Sequence, residues 1–562
     1  MSDPATTSGD SRGHDFPRFT AEYRRRWVDA GLWGDRTLHD LFDETVAQRP
    51  DAVAVITPER RFTFAELKAD SDALAAGLIG WGVRPGDIVA VQLPNWVEFW
   101  LLQLALSRVG AVIQPTHCVF RARELRTLFA FCETDFVIVP GTFDGHDYAA
   151  TIRGLRAGLP RLRGIVVTRD DAGGADETTF DALVADGRAH LERITEVVVD
   201  PDDVFYLNFT SGTEGQPKGF LHTHNTLVSV FKNMAQAMSS LDPSIVNLCC
   251  SPMTHSFGHF TTYQCALAGI PMVLVDRYRP RDVLELIERE RVTSISGTPA
   301  HLIGILHHPE FDSFDTSSVR SVGLGGARSS PELIAELEEV WGAKSANTYG
   351  MGENIIHTRT MPWDPEDKAV ASVGRPLFGT ELKIADPDDH RVELAPHEVG
   401  DIMFRGPTLF VGYHNQPELT AATRDADGWF TTGDRGYVDD DGYLYFAGRA
   451  KEVINRGGTK IYPKAVEEIV ASHPDVVDVA VVAMPDERLG ERVCAYVVLR
   501  DGATLSLEQV RAHFAEHQAM KYLVPEALVI VEEFPMTPTG KVAKAAMVED
   551  AAQRTQSGEL AR

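Results

Sequence analysis

Positive charge is scarce in this chain. Its 562 residues carry a formal net charge of −27, from 81 acidic and 54 basic side chains. A protein without a basic face is a poor fit to nucleic acid or to an anionic membrane surface, so neither is expected as a partner. The same field repels polyanions, and any phosphate-bearing substrate needs a local positive site. Cysteine is equally sparse: Cys118, Cys132, Cys249, Cys250, Cys265 and Cys494 are scattered, and none stands in a C-x-x-C pair. That excludes a disulfide framework. Cys249 and Cys250 sit in an apolar run and read as buried thiols, so a reducing cytoplasm is the expected location. No apolar run approaches the roughly 18 residues of a membrane span. The first 16 residues lack the apolar stretch of a signal peptide and read as a polar, disordered tail.

The length is too great for one hydrophobic core, so at least two domains are expected. Short β-branched runs alternate with helical patterns. Strands are expected at Ile88 to Leu93, Gly110 to Ile113, Phe136 to Val139, Gly164 to Val167 and Met272 to Val275, with a helix from Trp96 to Val109 and an apolar run at Val204 to Phe209. Strands spaced by helices imply βαβ units and mostly parallel sheets, an α/β fold. After about Gly448 the texture changes to that of a small α+β domain. The expected division is a tail at 1–16, a large domain of β-sheets flanked by helices at 17–450, and a small domain at 451–562.

The segment Thr210, Ser211, Gly212, Thr213, Glu214, Gly215, Gln216, Pro217, Lys218, Gly219 is the most informative. Its glycines expose backbone N–H groups, its hydroxyls add donors and Lys218 adds charge, a combination able to wrap phosphate oxygens. It is not a Walker A loop, because Gly219 rather than Ser or Thr follows the lysine. A bare Gly/Ser/Thr stretch is as readily a surface loop. The order of hydroxyls, glycines, Pro217 and Lys218 is far more specific.

That order resembles the phosphate-binding signature of the adenylate-forming superfamily: acyl-CoA synthetases, aryl-acid ligases, peptide-synthetase adenylation domains and beetle luciferases. Further motifs follow in the family's order, from about Phe19 to Lys544. Asn347, Thr348, Tyr349, Gly350, Met351, Gly352 and Glu353 resemble the adenine and metal motif. The resemblance gives Asn347 the adenine amine, Tyr349 a stack on the base, and Glu353 a Mg2+ ion, which prefers oxygen ligands. The family often has Thr at Gly352, and usually Thr at Glu214, whose carboxylate is expected to point away from the phosphates. Asp434 and Arg449 resemble the ribose-binding pair. His255 and Phe257 match the segment lining the acyl pocket, with His255 bordering the substrate carboxylate; His259 reads as a core residue. Gly325, Gly326 and Ala327 match a strand end approached by acyl group and nucleotide, as glycine permits. Lys451 matches the hinge of a mobile C-terminal lid, Gly457 and Gly458 the loop beside the thiol channel, and Lys541 the catalytic lysine of the lid. Arg456 and Lys460 read first as solvated charges.

The resemblance implies an AMP-forming ligase using ATP and Mg2+. It would activate a small-molecule carboxylic acid as an acyl-adenylate and pass the acyl group to coenzyme A. The alternative acceptor is the phosphopantetheine of a carrier protein, as in aryl-acid–AMP ligases. The residues at Asn455 to Gly458, Gly325 to Arg328 and Glu22 to Gly34 favour that group, whereas His255 favours acyl-CoA ligases. A luciferase-like oxidative activity ranks behind both.

Overall fold

The computed structural model describes residues 13–171, 174, 176–210, 217–241, 244–326, 329–361, 363–377, 379–536 and 542–560, with 210, 233, 235–241 and 344 described by backbone alone. The chain divides into two compact units, Met1–Glu381 with Arg405–Phe430, and Leu382–Phe404 with Thr431–Arg562.

Two sheets build the first unit. One has nine strands, in the order Arg375–Pro376, Thr358–Arg359, Lys344–Tyr349, Ser321–Leu324, Ser294–Gly297, Asn247–Cys249, Met272–Val273, Val53–Ile56 and Arg61–Thr63. Its six strands from Lys344–Tyr349 to Val53–Ile56 run parallel. The other has eight, in the order Gly412–Tyr413, Lys218–Thr223, Val204–Thr210, Val112–Pro115, Ile88–Val91, Phe136–Pro140, Gly164–Thr168 and Glu177–Thr179, parallel from Val204–Thr210 onward. One continuous core joins the sheets through the helices Phe64–Trp81, Val97–Val109 and Ser256–Ala268. Val97–Val109 is buried at every position but Glu98 and Arg108, near its two ends, as expected of a helix packed on every side. Phe64–Trp81 starts at a capping box, Thr63 with Glu66, and stops at the left-handed Gly82.

The second unit carries the four-stranded sheet Glu381–Ala385, Gly400–Arg405, Phe430–Val438 and Leu444–Arg449. It also carries a mainly antiparallel five-stranded sheet, in which Val476–Asp486 and Gly490–Leu499 form the long central ladder. By compactness the second unit therefore takes in residues 382–404 and 431–450, ahead of the expected division at Lys451. The polar segment after Lys451 is a hairpin, Ile454–Arg456 with Thr459–Ile461. Gly457 and Gly458 turn it with φ of 57° and 92°, as a two-residue primed turn requires.

The described chain opens with residues docked rather than trailing. His14, expected in the tail, is buried with Nε2 2.8 Å from Asp135 Oδ2, because that carboxylate is itself inside the fold and needs partners. Trp33 Nε1 donates to Pro407 O at 2.9 Å and Tyr23 Oη to Gly406 O at 2.8 Å. Among the described residues no helix is long and apolar enough to cross a membrane.

Candidate active site

The phosphate segment is bounded by two paired strands. Strands Val204–Thr210 and Lys218–Thr223 pair antiparallel with Thr210 opposite Lys218. Ser211, Gly212, Thr213, Glu214 and Gly215 lie outside the described residues, as do Ala327 and Lys541. Lys218 opens the second strand, and that strand pairs in turn with Gly412–Tyr413, Phe220 facing Tyr413. His414 N–H donates to Gly219 O at 2.7 Å.

The Asn347–Glu353 motif spans a strand end and a turn. Asn347 is held on both sides of its backbone and by its side chain: its N–H donates to Thr360 Oγ1 at 2.8 Å, its carbonyl accepts from Thr360 N–H at 2.9 Å, and its Nδ2 donates to Ala369 O at 3.0 Å. The backbones of Thr348 and Tyr349 pair with Arg359 and Thr358. The Tyr349 ring, half-buried, lies 5.1 Å from that of His357. Beyond Gly350 and Met351 the chain turns, and Glu353 is buried at 3% exposure. Tyr413 Oη donates to Glu353 Oε1 at 2.8 Å, and Phe410 N–H to Glu353 O at 2.8 Å. Burial and the carboxylate both push the Tyr413 hydroxyl far above its usual range, so it stays a donor. Ile355, a β-branched residue, holds φ of 53° in this turn, which packing must enforce against its steric preference.

This turn meets the strand Lys218–Thr223 at Gly352, against His222 and Phe220. His222 Nε2 lies 2.7 Å from Gly352 O and its Nδ1 3.1 Å from Thr226 Oγ1. Burial lowers the imidazole to a pKa of about 4. The ring is neutral, and since a carbonyl only accepts, the proton is on Nε2. A Cβ on Gly352 would fall 2.2 Å from the Phe220 ring, which is the reason for glycine where relatives of this motif often carry threonine. Gly352→Thr is expected to destabilise the protein by about 1–3 kcal/mol through overpacking, and Phe220→Val in the same chain to recover most of the lost Tm. A single variant as stable as the parent would contradict this account of Gly352.

The acyl-pocket residues also converge. His255 caps the helix Ser256–Ala268, its Nδ1 accepting from Phe257 N–H at 3.2 Å. The Phe257 ring lies on Gly325, where a Cβ would come within 2.9 Å of it, and Gly326 follows at φ of 80°. His259 is fully buried, bonded through Nδ1 to Gln103 Nε2 at 2.8 Å, and desolvation takes it to a pKa of about 3; it belongs to the core.

In the second unit Asp434 faces Arg449 across neighbouring strands, Oδ1 3.9 Å from Nε, with Asp434 nearly buried and Arg449 mostly exposed. A carboxylate and a guanidinium side by side suit a pair of vicinal hydroxyls. Lys451 lies exposed in the turn Ala450–Glu452. Gly457 and Gly458 are exposed at their hairpin tip. Arg456 is paired with Glu526, Nη2 to Oε1 2.7 Å.

Residues absent from the sequence reading now join the site: Phe220, His222 and Tyr413 around the Glu353 turn, and His117 beside His255. Only Tyr413 had a local signal, a Gly-Tyr pair after an apolar run; the others are set by long-range packing. As to metal, among the described residues no group of three or more His, Cys, Asp or Glu converges. One buried carboxylate beside a phosphate loop nevertheless fits Mg2+, which is usually held by one or two carboxylates and the substrate's own phosphates.

Comparison with known proteins shows the family. The family model of the AMP-binding enzymes matches residues 42–414, and that of the AMP-binding enzyme C-terminal domain matches 465–541. A medium-chain fatty-acid–CoA ligase of Escherichia coli K12 is 34% identical over 540 residues, covering 95% of this chain and 94% of the relative. A 2,3-dihydroxybenzoate-AMP ligase of Bacillus subtilis 168 is 32% identical over 535 residues, covering 94% and 96%. The solved structure of the anthranilate CoA ligase AuaEII with anthranoyl-AMP superimposes with a TM-score of 0.82 over 94% of this chain and 99% of its own, at 24% identity, a likeness of fold. The two family models fall in order along the chain, and this protein belongs to the AMP-binding enzyme family, the ATP-dependent, AMP-forming ligases.

Proposed function

We propose that this chain is an acid–thiol ligase that converts a carboxylic acid and ATP to an acyl-adenylate and pyrophosphate, then passes the acyl group to coenzyme A. The observation that carries the reading is the joining of the phosphate hairpin to the Glu353 turn through Phe220, His222 and Tyr413. It keeps the candidate metal carboxylate in register with the loop that would cradle the phosphates.

In the first step a carboxylate oxygen of the acid attacks the α-phosphorus and the bond to pyrophosphate breaks. Little covalent chemistry falls to the protein, so positioning and charge dominate. Lys218, Thr210, Ser211 and Thr213 would hold the phosphates, with Gly212 and Gly215 giving backbone access. Asn347 and Tyr349 would hold the adenine, and Asp434 and Arg449 the ribose. Mg2+, when bound on Glu353, would neutralise charge on the phosphate oxygens. Lys541 would reach the reacting carboxylate and α-phosphate from the C-terminal lid. In the second step the lid would pivot at Lys451, withdrawing Lys541 and bringing Gly457 and Gly458 beside the incoming thiol. The sulfur then attacks the acyl carbon and AMP leaves.

The carrier-protein reading draws on the relative that is a 2,3-dihydroxybenzoate-AMP ligase. The two acceptors separate cleanly in one assay. With a turnover-competent acid, added coenzyme A is expected to raise turnover and yield an acyl-CoA thioester by mass spectrometry. Turnover that ignores coenzyme A and responds to a phosphopantetheinylated carrier would reverse the choice.

A further inference from the structure

Beside the acyl segment stands a second imidazole. His117 follows the strand Val112–Pro115, and its position is set from three sides. The buried Gln92 donates to its carbonyl at 2.9 Å, and the Phe120 ring meets it edge-on at 5.3 Å. Its Nδ1 lies 2.9 Å from Thr254 Oγ1. Thr254 is 3% exposed, and a buried hydroxyl proton needs an acceptor. Thr254 therefore donates to Nδ1, which leaves the ring proton on Nε2. Desolvation holds this histidine at a pKa of about 4, so the imidazole is neutral near pH 7.

The His117 ring lies 6.3 Å from that of His255, the two planes inclined by only 26°. From His255 the segment runs to Phe257, whose ring rests on Gly325. The place thus combines an apolar wall with a neutral N–H donor on His117. Nε2 is not sealed from solvent and meets no partner among the described residues. A donor there has two possible uses on an acid. Bonding the carboxylate would draw charge from the nucleophile that must attack phosphorus. Bonding an oxygen elsewhere on the acid would not, and would leave no dry donor unpaired.

We propose that His117 is a specificity-determining residue whose Nε2–H donates to an oxygen substituent near the acid's carboxyl group, so that the chain favours hydroxy or oxo acids over their unsubstituted isosteres. This rests on the acid-activating reading above.

The test compares kcat/KM for pyrophosphate release within two pairs, 2-hydroxybenzoate against benzoate and 2-hydroxycyclohexanecarboxylate against cyclohexanecarboxylate. A ratio within one variant is independent of how much of it is folded. The parent is expected to favour the hydroxy member of at least one pair by about tenfold, the order expected for one hydrogen bond in a partly dry site. His117→Leu should bring that ratio near one, His117→Asn, which keeps a donor, should restore most of it, and the KM for ATP should stay constant throughout. An unchanged ratio in His117→Leu, a parent without preference, or a KM for ATP that shifts in step would overturn the proposal. Absence of acid-dependent pyrophosphate release from the parent would overturn the activating reading itself, and this inference with it.

Discussion

Lys541→Ala is expected to lower acid-dependent pyrophosphate release by about 100- to 1,000-fold, the usual effect of removing one preorganised charge contact from a transition state. The same variant, supplied with a chemically made acyl-adenylate and coenzyme A, should form thioester at close to the parent rate. The asymmetry follows from the proposed pivot: Lys541 serves the first step and leaves before the thiol arrives. Lys451→Pro should show the reverse pattern. Proline fixes φ and removes an N–H, in a turn that spans only Ala450–Glu452, so adenylation should survive better than thioester formation. Equal damage to both half-reactions in each variant would rule against alternation.

Glu353→Gln should be nearly as costly. The amide keeps the volume and can still accept from Tyr413, whose Oη now lies 2.8 Å from Oε1, but it carries no charge for a hard cation. Adenylation is expected to fall by about 100-fold at a fixed Mg2+ concentration, and the half-saturating Mg2+ concentration to rise. A magnesium titration superimposable on that of the parent would reject Glu353 as the metal ligand.

Much of this was legible in the chain. The strands Ile88–Val91, Phe136–Pro140 and Gly164–Thr168 are runs of apolar, mostly β-branched residues because both faces of their sheet are covered. Helix Val97–Val109 also lies close to its expected place. Less legible was the strand Lys218–Thr223, whose Gly219, His222 and Thr223 obscure any period; its strand state comes from pairing with Val204–Thr210 and Gly412–Tyr413. The four-stranded sheet of the second unit was likewise unread, since Glu381–Ala385 and Phe430–Val438 mix polar and apolar residues. At the site, motif order pointed to Glu353, Asp434 and Arg449, but not to what holds them. Tyr413 reaches Glu353 from 60 positions away and His222 reaches Gly352 from 130. Such contacts are properties of the folded packing and leave no local pattern.

The central claim is activation of a carboxylic acid by ATP, and the direct measurement is pyrophosphate release by the purified chain across a panel of acids. The account predicts release that requires both ATP and acid and leaves AMP rather than ADP. Medium-chain, alicyclic or aromatic acids should be preferred to acetate in kcat/KM, since each buried CH2 contributes about 0.8 kcal/mol. Release of orthophosphate and ADP, or no acid-dependent release across the panel, would contradict it.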